Sequence, residues 1–244
     1  MPSDERETIM SSVVAETIRT LVQVGAQMDP EDDAGLTPLV HAVLKEDLSM
    51  IRTLTSCGAS VNYQCDFDTE FPGAAALHQA AAKGAPATIK LLLELGAQVN
   101  LQDDFERTPL HWAAWEGNLP GLQLLEEAGG DLDAEEAWGR TLLHLAANGG
   151  HTQVAEWLLD RGADPNSICN SQLNTPLHVA ASGGHTDIMR LLLERGAILE
   201  CPDIDDGTPL VSAIRHDQPE AVKLLLEYGA NPRAIDDFLN AEDD

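Results

Sequence analysis

The chain has 244 residues, a net charge of −27 and only 4% aromatic residues. That much acid excludes direct binding to nucleic acid, whose phosphates need a basic surface, and opposes adhesion to anionic membrane faces. Four cysteines, Cys57, Cys65, Cys169 and Cys201, form no Cys-x-x-Cys pair and are too sparse for a secreted disulfide scaffold; with no apolar leader segment, a reducing cytoplasm or nucleus is the expected compartment.

In chain order, Val13, Val14, Ile18, Leu21 and Val22 run at helical spacing into Gly25-Ala26 and predict a capping unit, with a polar-faced helix around Glu5 to Met10. A short phrase then recurs six times: Thr37-Pro38-Leu39, Ala75-Ala76-Leu77-His78, Thr108-Pro109-Leu110-His111, Thr141-Leu142-Leu143-His144, Thr175-Pro176-Leu177-His178 and Thr208-Pro209-Leu210. The equivalent leucines are spaced by 38, 33, 33, 34 and 33 residues, and nineteen residues after each stands a glycine: Gly58, Gly96, Gly129, Gly162, Gly196 and Gly229. Residues 108–129 show what one unit encodes. Thr108-Pro109 starts a helix, the hydroxyl being expected to accept from orphan backbone N–H groups and proline fitting the first turn. Gly117-Asn118 breaks that helix. A second, carrying Leu122, Leu124 and Leu125, ends at Gly129 in the left-handed conformation. Two helices this short cannot enclose a core, so each hairpin must bury its apolar side against the next. The runs Leu91-Leu92-Leu93, Trp157-Leu158-Leu159, Leu191-Leu192-Leu193 and Leu224-Leu225-Leu226 are second helices and too short for membrane spans.

Thr-Pro-Leu-His at a period near 33 residues resembles the ankyrin repeat over nearly the whole chain. The resemblance implies an all-α ankyrin-repeat solenoid of stacked helix-turn-helix units with β-turn finger loops. It forms one domain over 1–244, with a cap at 1–29, repeats at 32–62, 70–100, 103–133, 136–166, 170–200 and 203–233, and 234–244 as an acidic tail or the start of a further unit. It implies a monomeric adaptor or scaffold that binds another protein through a concave face and its fingers, without catalysis, cofactor or metal. His78, His111, His144 and His178 occupy the phrase position, whose implied role is a structural hydrogen bond, and His151 and His185 recur at the start of second helices. His41 and His216 fall outside the pattern. Asn62, Asn100, Asn166 and Asn231 are expected to hold the finger turns.

The acids gather in the fingers: Glu31-Asp32-Asp33, Asp66/Asp68/Glu70, Asp103-Asp104/Glu106, Asp131/Asp133/Glu135-Glu136, Asp203/Asp205-Asp206 and Asp236-Asp237, with 167–174 neutral. A turn-capping aspartate and solubility account for any one finger; their recurrence favours an attractive field for a partner with a basic and aliphatic surface. Asp103, Asp104, Glu106, Glu136, Asp205 and Asp206 are therefore candidate contacts. Trp112 and Trp157 are expected in the core. Trp115, where other units carry Leu44, Ala82, Asn148, Ser182 and Arg215, is expected to face the groove, flanked by Phe105 and Trp138, as a binding hot spot; mutual packing of Trp115 and Trp138 is the alternative. The longest finger adds Phe67, Phe71 and Pro72, and Leu44 and Phe71 complete the candidate set. Val211 replaces histidine in the sixth unit and Asp217 replaces glycine, so its inter-helix turn is expected to differ. An escort for a highly basic client is the rival reading, and an enzyme would need a constellation the repeats do not supply.

Overall fold

The computed structural model describes residues 15–65, 72–170 and 172–233. The expected helix around Glu5 to Met10, the finger residues Phe67 and Phe71 with their neighbouring acids, and Asp236-Asp237 lie outside the described residues. After α1 (15–23) come six helical hairpins: α2 (Pro38–Leu44) with α3 (Leu48–Ser56), α4 (Ala76–Lys83) with α5 (Pro86–Glu94), α6 (Pro109–Trp115) with α7 (Leu119–Glu127), α8 (Leu142–Gly149) with α9 (Thr152–Asp160), α10 (Pro176–Ser182) with α11 (Thr186–Glu194), and α12 (Pro209–Arg215) with α13 (Pro219–Glu227). The fold is an all-α repeat solenoid; among the described residues the only β-type pairing noted is an isolated bridge, Glu135 to Thr141.

The chain falls into two compact units, Met1–Trp112 with Pro120–Gly130, and Ala113–Leu119 with Asp131–Asp244. In the first, α2 packs on α4 and α3 on α5, burying Leu39, Ile51, Leu77, Ile89 and Leu92. In the second, α8, α10 and α12 stack in order, as do α9, α11 and α13, burying Leu143, Leu158, Leu177, Ile188, Leu192 and Leu225. Each such aliphatic side chain removed from water contributes roughly 1.5–3 kcal/mol. Ala80, Ala81, Ala146, Ala147, Ala180 and Ala181, all wholly buried, let neighbouring first helices approach closely.

The second helices end as their glycines require. Gly58 lies at φ +102, with Ala59 N–H bonded to Leu54 O at 3.0 Å and Gly58 N–H to Thr55 O at 3.1 Å, a Schellman ending. A side chain built on Gly58 would meet open space, so backbone handedness rather than crowding selects glycine there. The inter-helix turn of the sixth hairpin does not differ from the others, contrary to expectation. Asp217 adopts φ +53, and the bonds Asp217 N to Ile214 O and Gln218 N to Ala213 O repeat those made by Gly117 and Asn118. Aspartate tolerates the left-handed region at modest cost, and the turn keeps its shape.

The helix starts are also revised. Thr37 Oγ1 does accept from Val40 N–H, at 3.4 Å. Where histidine stands third in the helix, the ring does the capping: the N–H groups of Thr108, Thr141 and Thr175 donate to Nδ1 of His111, His144 and His178 at 3.1–3.2 Å, and each hydroxyl meets the same nitrogen at 2.9 Å. A nitrogen that accepts a backbone N–H carries no proton, so the ring hydrogen sits on Nε2. Nε2 then donates to a carbonyl of the following repeat: His78 to Arg107 at 3.0 Å, His144 to Asn174 at 3.0 Å, His178 to Gly207 at 3.2 Å. The asparagines likewise span repeats. Asn62 Nδ2 donates to Gly96 O at 3.1 Å while its Oδ1 accepts from Gln98 N–H at 2.8 Å, and Asn166 does the same with Gly196 and Ile198.

Candidate protein-binding site

Each finger is a tight loop organised around one side chain. Asp103 Oδ1 accepts from the N–H groups of Phe105 and Arg107, both at 2.9 Å. Its Oδ2 accepts from Arg107 Nε at 2.8 Å and from the Trp112 indole at 3.0 Å. Asp32 takes Ala34 and Leu36 N–H and the His41 ring, and the Leu36 bond, then His41, holds its carboxyl below the usual range. Asp203 takes Asp205 and Gly207 N–H, with Arg215 Nη1 at 3.4 Å. Glu136 binds Arg140 in bidentate fashion, Oε1 to Nε at 2.8 Å and Oε2 to Nη2 at 3.1 Å. The organiser's own N–H closes the loop onto Leu36 O, Arg107 O, Arg140 O or Gly207 O. In the two lengthened fingers a buried cysteine takes that place, Cys65 N–H bonding Ala74 O and Cys169 N–H bonding Asn174 O. Burial pushes the Cys65 thiol pKa up, keeping it neutral.

These contacts divide the candidate acids. Asp103 and Glu136 are only 4% and 2% exposed, and their carboxylates are taken up inside their own loops. They are not available to a partner: each is drawn inward by backbone N–H of its own loop and by an arginine four residues on. Asp104, Glu106, Asp205 and Asp206 stand exposed. Leu44 is half-buried, its carbonyl accepting from Lys83 Nζ. Phe71 lies outside the described residues. His216 turns its ring to Ser212 O at 2.9 Å, and His151 and His185 reach back to the carbonyls of Trp115 and Asn148.

The aromatics are held by arginines. In the first unit Arg107 Cζ lies 4.9 Å from the Phe105 ring and 5.3 Å from that of Trp112, which is buried. In the second, Arg140 Cζ lies 5.1 Å from Trp138 and 5.8 Å from Trp115. Trp115 and Trp138 remain 44% and 40% exposed. A cation within about 6 Å of an indole contributes roughly 0.5–1 kcal/mol at an exposed site, so Arg140 unites the two tryptophans as one platform while buried Glu136 fixes Arg140. Their backbones are pinned as well: Trp115 O accepts from His151 Nε2 at 2.8 Å, and Trp138 O from Asn170 N–H at 3.0 Å. Trp138 and Arg140 also line a groove of about 650 Å³ in this unit, with Asn148, Gln172, Val179 and Ile204. Arg140 was not among the sequence candidates; its position four residues past a finger acid, as with Arg107, was the available signal.

A sequence profile of the family described as ankyrin repeats (3 copies) matches residues 77–169 and 143–236, which together span more than half of the chain. The chain belongs to the ankyrin repeat family. Ankyrin repeats are protein–protein interaction modules. Similar curated proteins include the B-cell lymphoma 3 protein homolog of Mus musculus, 34% identical over 96 residues, covering 39% of this chain and 20% of the relative. Inversin of Homo sapiens is 39% identical over 92 residues, covering 38% and 8%. Ankyrin repeat and SOCS box protein 3 of Bos taurus is 35% identical over 94 residues, covering 38% and 17%. The chain thus matches a fifth or less of the length of these relatives. Among the described residues no group of three His, Cys, Asp or Glu side chains is arranged to hold a metal ion, and no helix is long and apolar enough to cross a membrane.

Proposed function

We propose that this ankyrin repeat chain is a non-catalytic adaptor that binds another protein through the Trp115–Arg140–Trp138 platform and the adjoining groove of the second unit. The observation that carries the reading is that two large indoles stay exposed although the Glu136–Arg140 ion pair beneath them and two hydrogen bonds to their own carbonyls hold them in place. Exposed aromatic anchors that are already ordered lose little entropy on binding and are typical hot spots. Asp104, Glu106, Asp205 and Asp206, not Asp103 or Glu136, supply the field that favours a basic partner. Four free thiols suit a reducing intracellular compartment.

The test is affinity capture from cell extract with wild type, Trp115→Ala and Trp138→Ala, each first shown to unfold near the wild-type midpoint. Proteins retained by wild type and lost from both variants are the expected result. An unchanged captured set would refute the platform as the binding site.

A further inference from the structure

Three successive fingers of the second unit each end in an exposed apolar side chain: Trp138, Leu173 and Ile204, the last two 43% and 58% exposed. The fingers are joined in that order by main-chain bonds, Asn170 N–H to Trp138 O and Ile204 N–H to Gln172 O, both 3.0 Å. Leu173 is the informative member. It lies at φ +55, in the left-handed region where the equivalent finger positions carry Gly35, Gly73 and Gly139 at φ +72 to +75 and the polar Glu106 and Asp206 at +59 and +58, so Leu173 is the apolar member of the set. A bulky apolar residue there is strained, and its side chain gains little burial in return. Strain without packing in the free chain points to a contact made elsewhere.

The surroundings define that contact. Asn148, Gln172, Asn174 and Ser182 line the groove beside Trp138 and Ile204. Amide and hydroxyl groups reward a ligand whose own backbone N–H and C=O groups are unmet, which is true of an extended segment and not of a helix. Stacked helices lie about 8–10 Å apart, so the fingertips recur on the order of every 10 Å. One turn of an extended polyproline II segment, three residues at about 3.1 Å each, covers about the same distance and returns every third side chain to the same face. At the Ile204 end stand Asp205 and Asp206, exposed and paired with no cation among the described residues.

We infer that the finger row Trp138–Leu173–Ile204 docks an extended segment of a partner protein, with large apolar residues at every third position and a Lys or Arg where the segment passes Asp205 and Asp206. This deepens the proposed function by naming the partner's form and charge. The probe is a random peptide library displayed on phage and panned on the full chain; the enriched consensus is then synthesised and titrated by fluorescence anisotropy. The expected consensus has apolar residues three apart with a basic residue beyond one end. Its affinity should fall at least about tenfold in Ile204→Asp, the size of loss that marks a contact hot spot. Leu173→Gly should weaken binding while the unfolding midpoint holds or rises, since glycine relieves the strain; no structural role gives that pairing. Asp205→Asn with Asp206→Asn should weaken binding and flatten its salt dependence. An acidic or helical consensus, no enrichment on folded protein, or binding indifferent to Leu173→Gly and Ile204→Asp overturns the inference. If Trp115→Ala alone abolishes capture of the partner, the adaptor reading stands and the finger row falls; if neither set of variants alters capture, both fall.

Discussion

Lowering the pH should weaken the fold through its buried imidazoles, and His144 gives the magnitude. Its side chain is fully buried, and that burial above all, with Arg140 and His178 adding to it, lowers its pKa from 6.5 to about 4 against the opposing bond to Asn174 O. Between these values the unfolded chain holds a proton on this residue that the folded chain does not, so stability is complete above about pH 6.5 and declines as pH falls. Integrating the two titrations gives a loss on the order of 2 kcal/mol at pH 5 and 3 kcal/mol at pH 4 from this residue alone. Carboxylates shared by wild type and variant cancel in a comparison. Urea unfolding of wild type and His144→Gln, followed by tryptophan fluorescence at pH 7 and pH 5, should therefore show a lower starting stability in the variant and a pH 7-to-5 loss smaller by about 2 kcal/mol. The two proteins losing equal stability over that interval would show that the imidazole is not held neutral and would refute the assignment of Nε2 as donor.

Glu136→Gln removes the counter-charge of the half-buried Arg140; calorimetry should find about 1.5 kcal/mol less stability, the size of a lost charge-assisted hydrogen bond, with a shift in tryptophan emission as the platform loosens. Glu106→Gly and Asp206→Gly, both at positive φ, should each stabilise by about 0.5–1 kcal/mol in denaturant melts, because glycine adopts that backbone without strain. Trp157→Ala should cost roughly 3–5 kcal/mol as a core truncation, against about 1 kcal/mol for Trp115→Ala, which loses one cation–π contact; equal losses would place Trp115 in the core.

The hairpins and their glycine endings were legible because they depend on local periodicity and on backbone handedness, which single residues declare. Asp217 shows the limit of reading by identity: aspartate and glycine both enter the left-handed region, so a changed letter left the turn unchanged. The acids show another. Asp103 and Asp104 are adjacent and chemically identical, yet the loop turns one inward to two amides, an arginine and an indole and the other outward. Nothing in the charge count separates them; the arginine four residues later does. The role of Cys65 and Cys169 as loop organisers appears only once the main-chain bond across each lengthened finger is seen.

The histidine bonds run one way along the chain. Each ring completes the start of its own hairpin from within, but its remaining donor waits for a carbonyl 29 or 30 residues further on. During synthesis, at about 5–20 residues per second, that interval is roughly 1.5 to 6 seconds. For that time the newest hairpin has emerged with one polar group of its interior still facing water, and the arrival of its successor both covers the apolar side and supplies the acceptor. Growth at the ribosome thus matches the direction in which the bonds are made, with the older end finished first and the youngest repeat always the unfinished one.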